Sequence, residues 1–336
     1  MGQLRNKTYS PSKLRACVLV LSLFEFGIPV SAAQTETSGS SAATLRSAGD
    51  APLPFTWSGM RIPKWSNGAL IVVRDGTTLH PSVWINEGQQ TYSLPFAVSG
   101  AASLLIYDWD RGQDGTVGLS GSGTDSEGRL SGFVAWISRD GQSSKVIQTG
   151  LYRPARVAVD ARGDLWCAGS EPIKLDSPIL KPEGGIVRHF GRSGEILGSF
   201  VLQATVNDPI HLYVPENQFR AAKDRVIWYS PAEGRYIEIS LRGEILADFS
   251  IPSPDGARIT GLAITDRGEV FASGEGHVFM GVYILDRSTR QWRSALQRTI
   301  TPKLPSTDDF YALYGADGNM LVLHGYGRIK RFDTRN

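Results

Sequence analysis

The sequence is poor in the residues that crosslink a chain or bind metal ions. Its 336 residues include 2 cysteines, Cys17 and Cys167, and 5 histidines. It contains no Cys-x-x-Cys pair, no His-Glu-x-x-His pair and no Gly-rich phosphate loop ending in Lys-Ser/Thr. Each absence excludes one named mechanism, and none excludes chemistry built on a less familiar pattern.

The sequence also lacks an apolar run long enough to span a bilayer, which takes ~20 residues. Its most apolar stretch, residues 16–30, is short and contains Glu25. A basic segment precedes this stretch and small residues follow it, an order that is typical of an export signal. We therefore predict a signal peptide over residues 1–33 and an exported protein, periplasmic or secreted. The mature chain is predicted to have no transmembrane anchor.

Excess charge is absent as well. Lys and Arg number 35 and Asp and Glu 33, and residues 1–33 hold four of the bases and one of the acids. The formal charge of the remaining chain is −1. Nucleic-acid binding depends on neutralising many phosphates, so this balance argues against a nucleic-acid partner.

Cys167 is the cysteine that remains after signal cleavage, so an intramolecular disulfide is excluded. It follows Leu165 and Trp166 in an apolar segment. Unpaired cysteine is among the most buried residue types, and we expect Cys167 to be a core residue and not a reactive thiol.

No long window shows a 3.6-residue apolar period, which predicts little helix. The chain instead repeats a phrase in which an apolar run, a tight Gly turn and a second apolar run follow one another. The phrase occupies residues 157–166, 262–271 and 311–320, and a looser copy lies near 105–116. Short-strand repeats of this length indicate a radial array of β-sheets.

The repeat gives a period for the whole chain. Innermost strands are predicted to start near Leu104, Val157, Ile210, Ile259 and Phe310, at steps of 53, 53, 49 and 51 residues. Each unit has room for four strands joined by Gly-containing turns. We predict an all-β, six-bladed β-propeller of four-stranded antiparallel blades, with a seven-bladed ring as the alternative. The blades are expected near 69–96, 104–148, 157–200, 210–249, 259–296 and 310–333.

The two ends of this domain are predicted from composition. Residues 34–52 are rich in Ser, Ala and Thr, which predicts a flexible linker before a propeller domain at 53–336. The last blade has three strands, so a strand from around 53–62 is expected to complete it and close the ring. The fourth blade is predicted to have a first hairpin lengthened over 213–224. We expect the domain to be a monomer.

Residues 153–166 and 185–197 resemble an NHL repeat. The resemblance covers about residues 100–333 and implies a propeller, a fold that in this family serves as a binding surface, a lyase or a sensor domain. The chain is more distantly similar to the gluconolactonase and SMP-30 group of six-bladed propellers. That group holds a divalent metal in the central channel with Glu, Asp and Asn, one Asn lying in a Pro-Asn-Gly phrase. Here the corresponding phrase is Arg153-Pro154-Ala155, which has no Asn.

Most of the predicted long connections lie at one face of the ring, and the opposite face carries mostly tight turns. Long loops on a rigid scaffold are where binding usually occurs. The candidate ligand-binding residues at the long-loop face are Arg153, Arg156, His211, His277, Asp308, Asp309 and Tyr311. Together with His324, the two histidines of this set raise the alternative of a three-His zinc site.

Two functions stay open, and the first is favoured. The first is an exported module without catalytic activity or cofactor that binds an unknown protein or small molecule through the long-loop face. The second is a metal-dependent hydrolase of the lactonase type with one Ca or Zn ion in the central channel. A structural role in the cell envelope is a third possibility. Residues 108–115 fail the calcium-loop spacing and are predicted to form an inner hairpin.

Overall fold

The structure of the protein is a computed structural model. It describes residues 45–54, 63–74, 79–174, 181, 185–202, 218–230, 234–276, 279–299, 310–325 and 328–335. The predicted signal peptide, residues 1–33, lies outside the described residues. The described chain forms six antiparallel sheets of four strands each. The all-β, six-bladed prediction is therefore confirmed.

The strands follow chain order within each blade, from the innermost to the outermost. The first strand of the chain is β1, Arg46–Pro52, and it belongs to the last blade. Blade 1 consists of β2 (Lys64–Ser66), β3 (Ala69–Arg74), β4 (Ser82–Glu87) and β5 (Gln90–Pro95). Blade 2 consists of β6 (Ala101–Arg111), β7 (Val117–Asp125), β8 (Leu130–Ile137) and β9 (Ser144–Gly150). Blade 3 consists of β10 (Arg153–Val159), β11 (Leu165–Ser170), β12 (Gly185–Phe190) and β13 (Ile196–Leu202).

The second half of the ring repeats this order. Blade 4 consists of β14 (Phe219–Ala221), β15 (Arg225–Ser230), β16 (Arg235–Ser240) and β17 (Ile245–Ser250). Blade 5 consists of β18 (Arg258–Ile264), β19 (Val270–Glu275), β20 (Phe279–Asp286) and β21 (Gln291–Thr299). Blade 6 consists of β22 (Phe310–Asp317), β23 (Met320–Gly325) and β24 (Arg328–Asp333), with β1 as its outermost strand.

The apolar core lies between blades and not within them. One cluster joins blades 1, 2 and 6, and four further clusters join the pairs 2–3, 3–4, 4–5 and 5–6. Trp109 of blade 2 shows the arrangement, because its ring is buried and its Nε1 donates to Ile71 O of blade 1 at 3.0 Å. Cys167 is fully buried in the cluster between blades 2 and 3, as expected, and burial raises the pKa of its thiol.

An N-terminal strand closes the ring, but it lies before the segment predicted for it. β1 pairs with β24 in antiparallel register, from Arg46 opposite Asp333 to Pro52 opposite Arg328. Residues 46–52 are thus a strand and not part of a flexible linker; residues 34–44 and 55–62 lie outside the described residues. An outermost strand needs main-chain hydrogen bonds and few apolar side chains, so its polar composition resembled that of a linker.

Two inner strands also differ from the prediction. The predicted first blade, 69–96, lacked its innermost strand, which is the short β2. In blade 4 the innermost strand is β14, which begins nine residues after the predicted start at Ile210. The apolar run after Ile210 matched the repeat better than β14, which carries the charged Arg220. The first hairpin of blade 4 is therefore short, and the lengthened hairpin predicted over 213–224 is wrong.

Helix is scarce in the described part of the chain, as predicted. A short 3-10 turn, Pro254–Gly256, is the helical element among the residues that the structure describes. Within those residues, no helix has the length and apolar character needed to cross a membrane.

The closing segment gives a testable expectation for stability. Leu45, just before β1, is 7% exposed and packs in the cluster between blades 5 and 6, whereas Leu79 is 40% exposed. Leu45→Ala should lower the free energy of unfolding by about 2 kcal/mol, because it leaves a cavity in this cluster. Leu79→Ala is the control and should change it little. Equal effects of the two substitutions in urea unfolding would contradict the placement of Leu45.

Candidate functional site

A cavity of about 740 Å³ lies at the centre of the ring, where the first and second strands of each blade are joined by hairpins. We call this side the tight-turn end, and the opposite side the long-loop end. All six blades line the cavity, mainly through the last residues of their inner strands and the turns that follow. Among its lining residues are Asn67, Asp110, Asp160, Arg220, Asp266 and Asp317.

Below the cavity, a buried ion pair connects the inner strands of three blades. Lys64 of β2 is 1% exposed, and its Nζ lies 2.7 Å from Asp108 Oδ2 of β6. The same Nζ donates to Val157 O of β10 at 3.3 Å, and Val157 N donates to Asp108 Oδ2 at 2.8 Å. Burial lowers the pKa of Lys64, and the neighbouring Asp108 opposes this effect. Each charge thus offsets the desolvation of the other.

Asp110, two residues further along β6, occupies the same side of the strand and borders the cavity. Its Oδ2 accepts a hydrogen bond from Val159 N at 2.9 Å. Its Oδ1 is buried and has no hydrogen-bond partner in the described structure. Buried polar atoms normally have a partner, so this oxygen is a position that a ligand could satisfy.

Arg220 of β14 is a buried cation that interacts electrostatically with Asp108 and Asp110. Its Nε donates to Leu262 O at 3.0 Å, and its Nη2 donates to Tyr314 O. Burial lowers the pKa of Arg220, while Asp110 and Asp108 raise it. Among the described residues, Asp108, Asp110, Lys64 and Arg220 thus form a group of interacting buried charges from blades 1, 2 and 4.

The rim of the cavity carries more acids than bases. Asp224 is paired with Arg225, with 2.9 Å between Oδ2 and Nη2. Within the described structure, Asp266 and Asp317 form no ion pair, and Lys223 is the exposed base beside them. The electrostatic field at this mouth therefore favours a ligand with a positive group.

The residues predicted for ligand binding lie at the long-loop end, and few of them are described. Arg153 begins β10, opposite Ser170, and is half-buried. Arg156 is buried, and its Nη1 donates to Ala155 O at 2.9 Å. The others lie outside the described residues or have side chains that do: His211, His277, Asp308, Asp309 and Tyr311. Their shared role stays a prediction.

His324 is the described member of the proposed three-His set. It lies in β23 and is half-buried, and its ring stacks on Tyr314 with 5.4 Å between centroids. Burial lowers its pKa to about 4. The three-His arrangement lies largely outside the described residues and is not tested.

A different group of potential metal ligands lies at the first hairpin of blade 3. Carboxylate oxygens of Asp160 and Asp164 and a ring nitrogen of His189 lie within 4.8 Å of one another. Sequence reasoning treated residues 160–164 as a turn and 189 as an ordinary strand position. Because β12 brings His189 beside a hairpin 25 or more residues earlier in the chain, no short-range spacing could have revealed the group.

The central charges were also missed by sequence reasoning. Asp108 and Asp110 were considered only for a calcium loop, which their spacing excluded. Two acids at alternate positions of an innermost strand lie on the same side of that strand, facing a neighbouring blade. This alternation could have indicated the buried charges from the sequence. Lys64 and Arg220 lie in the two short inner strands that the repeat pattern did not locate.

Comparisons with known proteins establish the fold and no more. No family model and no curated protein matches the chain. Among solved structures, a putative exported protein from Bacteroides fragilis is 12% identical, with a TM-score of 0.52, and the match covers 85% of this chain and 86% of that one. A protein of unknown function from Bacteroides thetaiotaomicron is 13% identical, with a TM-score of 0.47 and coverage of 87% and 74%. Virginiamycin B lyase from Staphylococcus aureus is 14% identical, with a TM-score of 0.40 and coverage of 80% and 95%.

The central ion pair gives a prediction for stability. Lys64→Met leaves Asp108 buried without its cation and should lower the free energy of unfolding by about 3 kcal/mol. Asp108→Asn should lower it by a similar amount. The double variant should lose clearly less unfolding free energy than the two single variants added together, because neither charge is then left unpaired. Urea unfolding of the four proteins measures this coupling. The control is Arg129→Met, at an exposed pair with Asp125, which should have little effect. Additive effects at the central pair would contradict the coupling.

His324 gives a prediction for pH dependence. An unfolded-state pKa of ~6.5 and a folded-state pKa of about 4 mean that stability is lost as the pH falls through this interval. The titration of this imidazole should make the free energy of unfolding about 2 kcal/mol lower at pH 5 than at pH 7. His324→Phe keeps a stacked ring but does not titrate. Its free energy of unfolding in urea, measured at pH 7 and pH 5, should therefore lack the part of the decrease that His324 causes. His80→Gln, at an exposed position, should leave the loss unchanged. An unchanged loss in His324→Phe would show that His324 titrates alike in both states.

Proposed function

We propose that this protein is an exported binding propeller, and that its central cavity takes a small polar ligand carrying an amine or guanidinium group. The observation that carries the proposal is at Asp110: this residue borders the cavity, and its buried Oδ1 has no hydrogen-bond partner in the described structure. A charged donor is the group that would gain most by reaching this oxygen, because hydrogen bonds to a buried carboxylate are stronger than neutral ones.

The size and setting of the cavity support a small ligand. Small-molecule sites are typically concave spaces of roughly 300–1,000 Å³ that are largely formed before the ligand binds. This cavity has about 740 Å³ and is bordered by tight turns and strand ends from every blade. A lining fixed by six packed blades loses little conformational freedom on binding.

The charges support a cationic group in the ligand. Arg220 is already engaged with two carbonyl oxygens, so it does not compete fully for Asp110. At the rim, Asp266 and Asp317 outweigh Lys223. A ligand that places one positive group at Asp110 and polar groups at the rim would complement both levels of the cavity.

The same charges argue against the alternative of a metal-dependent hydrolase with its site in the channel. Asp108 and Asp110 are offset by Lys64 and Arg220, whereas a metal site needs several uncompensated oxygen ligands that converge. A binding role is therefore the better supported of the two. The NHL-like repeat phrase and the signal-like residues 1–33 are consistent with an exported binding module. Protein binding at the long-loop end, through Arg153 and its predicted neighbours, stays a separate prediction.

The proposal can be tested by calorimetric titration of the full chain. Spermidine, agmatine and arginine are the cationic probes, and citrate and glutamate are the anionic comparisons. We expect saturable binding of at least one cationic probe and no comparable binding of the anions. Asp110→Asn should weaken that binding by roughly 10- to 100-fold, because it removes the charge of the acceptor and keeps its size.

Asp140→Asn is the matched control, since Asp140 lies in an exposed turn of blade 2 outside the cavity lining. It should bind the probe as the parent protein does. Circular dichroism and thermal unfolding check that both variants fold. Failure of every cationic probe to bind, or equal binding by the Asp110 and Asp140 variants, would reject the proposed site.

A further inference from the structure

The first hairpin of blade 3 brings together three groups that can bind a metal ion. Asp160 and Asp164 lie at the two ends of the turn between β10 and β11, and His189 lies in β12 opposite Trp166. His189 Nε2 is 3.5 Å from Asp164 Oδ2 and 3.9 Å from Asp160 Oδ2. Ligand atoms around a tetrahedral zinc ion lie roughly 3.4 Å apart, given metal–ligand bonds of ~2.1 Å. Small side-chain adjustments would therefore close the observed separations around one ion.

The imidazole provides a second observation that points to a ligand. His189 is 5% exposed, and its Nε2 makes no hydrogen bond in the described structure although it faces the two carboxylates. Its ring is held in this orientation by stacking on Trp166, with 4.0 Å between centroids and 14° between planes. A buried ring nitrogen that makes no close hydrogen bond normally indicates a missing contact.

The carboxylate of Asp160 is held in place by the hairpin itself. Its Oδ1 accepts hydrogen bonds from Arg162 N at 2.8 Å and Asp164 N at 3.0 Å. Its Oδ2 accepts one from Trp166 Nε1 at 3.2 Å. Hydrogen bonds of this kind orient metal ligands in known sites. The ligand geometry is thus largely set by the fold before any ion binds.

A cationic side chain already lies beside the two carboxylates. Arg162 Nη2 is 3.5 Å from Asp160 Oδ2, and its Nε is 3.6 Å from Asp164 Oδ2. Its side chain is 54% exposed, and Nη2 also donates to Leu241 O of the neighbouring blade. A positive charge is thus favoured at this position, and an exposed arginine can move away when a metal ion replaces it.

We propose that Asp160, Asp164 and His189 form a binding site for a divalent transition-metal ion, best matched by Zn²⁺. One nitrogen and two carboxylate oxygens leave a coordination position for water. Imidazole is a ligand of zinc and its neighbours and not a usual ligand of Mg²⁺ or Ca²⁺. Asp160 also borders the central cavity, but Asp164 and His189 are not among the residues that line it, and the metal site does not use Asp110. Its occupation therefore does not depend on the function proposed for the cavity.

The test is a titration of Zn²⁺ into the full chain after treatment with a chelator and dialysis. We expect saturable binding of one equivalent that excess Mg²⁺ or Ca²⁺ does not displace. Titration with Co²⁺ should give visible absorption bands of a bound ion, which report directly on nitrogen and oxygen ligands.

Variants assign the binding to these residues. Asp164→Asn and His189→Gln should each weaken Zn²⁺ binding by at least about tenfold and reduce the Co²⁺ bands. Arg162→Gln should strengthen Zn²⁺ binding roughly two- to fivefold, because it removes the competing cation. Asp160 is not substituted, since it also holds the turn together.

His80→Gln and Asp140→Asn are the controls, since both residues are exposed and lie outside the hairpin. They should bind Zn²⁺ like the parent protein. Thermal unfolding without metal verifies that each variant folds, and Asp164→Asn is informative even if His189→Gln does not fold. Absence of saturable Zn²⁺ binding, or binding that Asp164→Asn and Arg162→Gln leave unchanged, would overturn the proposal.

Discussion

A single blade of this propeller has two apolar faces and cannot bury either of them without a neighbour. In the described part of the chain, each large apolar cluster consequently joins adjacent blades, and the ring is stable only when it closes. Closure falls to β1, which is mostly exposed itself but completes the outer edge of blade 6 beside the buried Leu45. The position of every other functional group in the ring depends on this closure.

The closed ring places the six inner strands around one central channel. Charged side chains on these strands must therefore compensate one another there. Lys64 and Arg220 occupy the two shortest inner strands, and Asp108 and Asp110 occupy the longest. Burial alone would disfavour each of these charges, but together they compensate one another. The compensation is incomplete at Asp110, which borders the cavity and whose buried Oδ1 has no hydrogen-bond partner in the described structure. The same packing that stabilises the ring thus leaves a polar position for a ligand.

Similarity to a solved structure at 12% identity shows a shared fold and carries no information about ligands. Function therefore has to be inferred from particular side chains. The described structure offers two such places at the tight-turn end, the channel around Asp110 and the hairpin around His189. The long-loop end, where sequence reasoning placed ligand binding, lies largely outside the described residues. The charged groups of both proposed sites therefore lie at the opposite end of the ring from the one that the loop lengths favoured.

The sequence by itself determined the all-β class, the number of blades and the burial of Cys167, because apolar alternation and Gly turns repeat at a nearly constant step. These features depend on neighbours in the chain. The inner strand of blade 4 was not predicted, because the charged Arg220 interrupts its apolar pattern. The closing strand β1 was not predicted either, because an outermost strand needs no apolar pattern. Only the tertiary structure decided which charges meet. Lys64 and Asp108 are 44 residues apart, and they become partners because blade 2 packs against blade 1 and places their inner strands side by side.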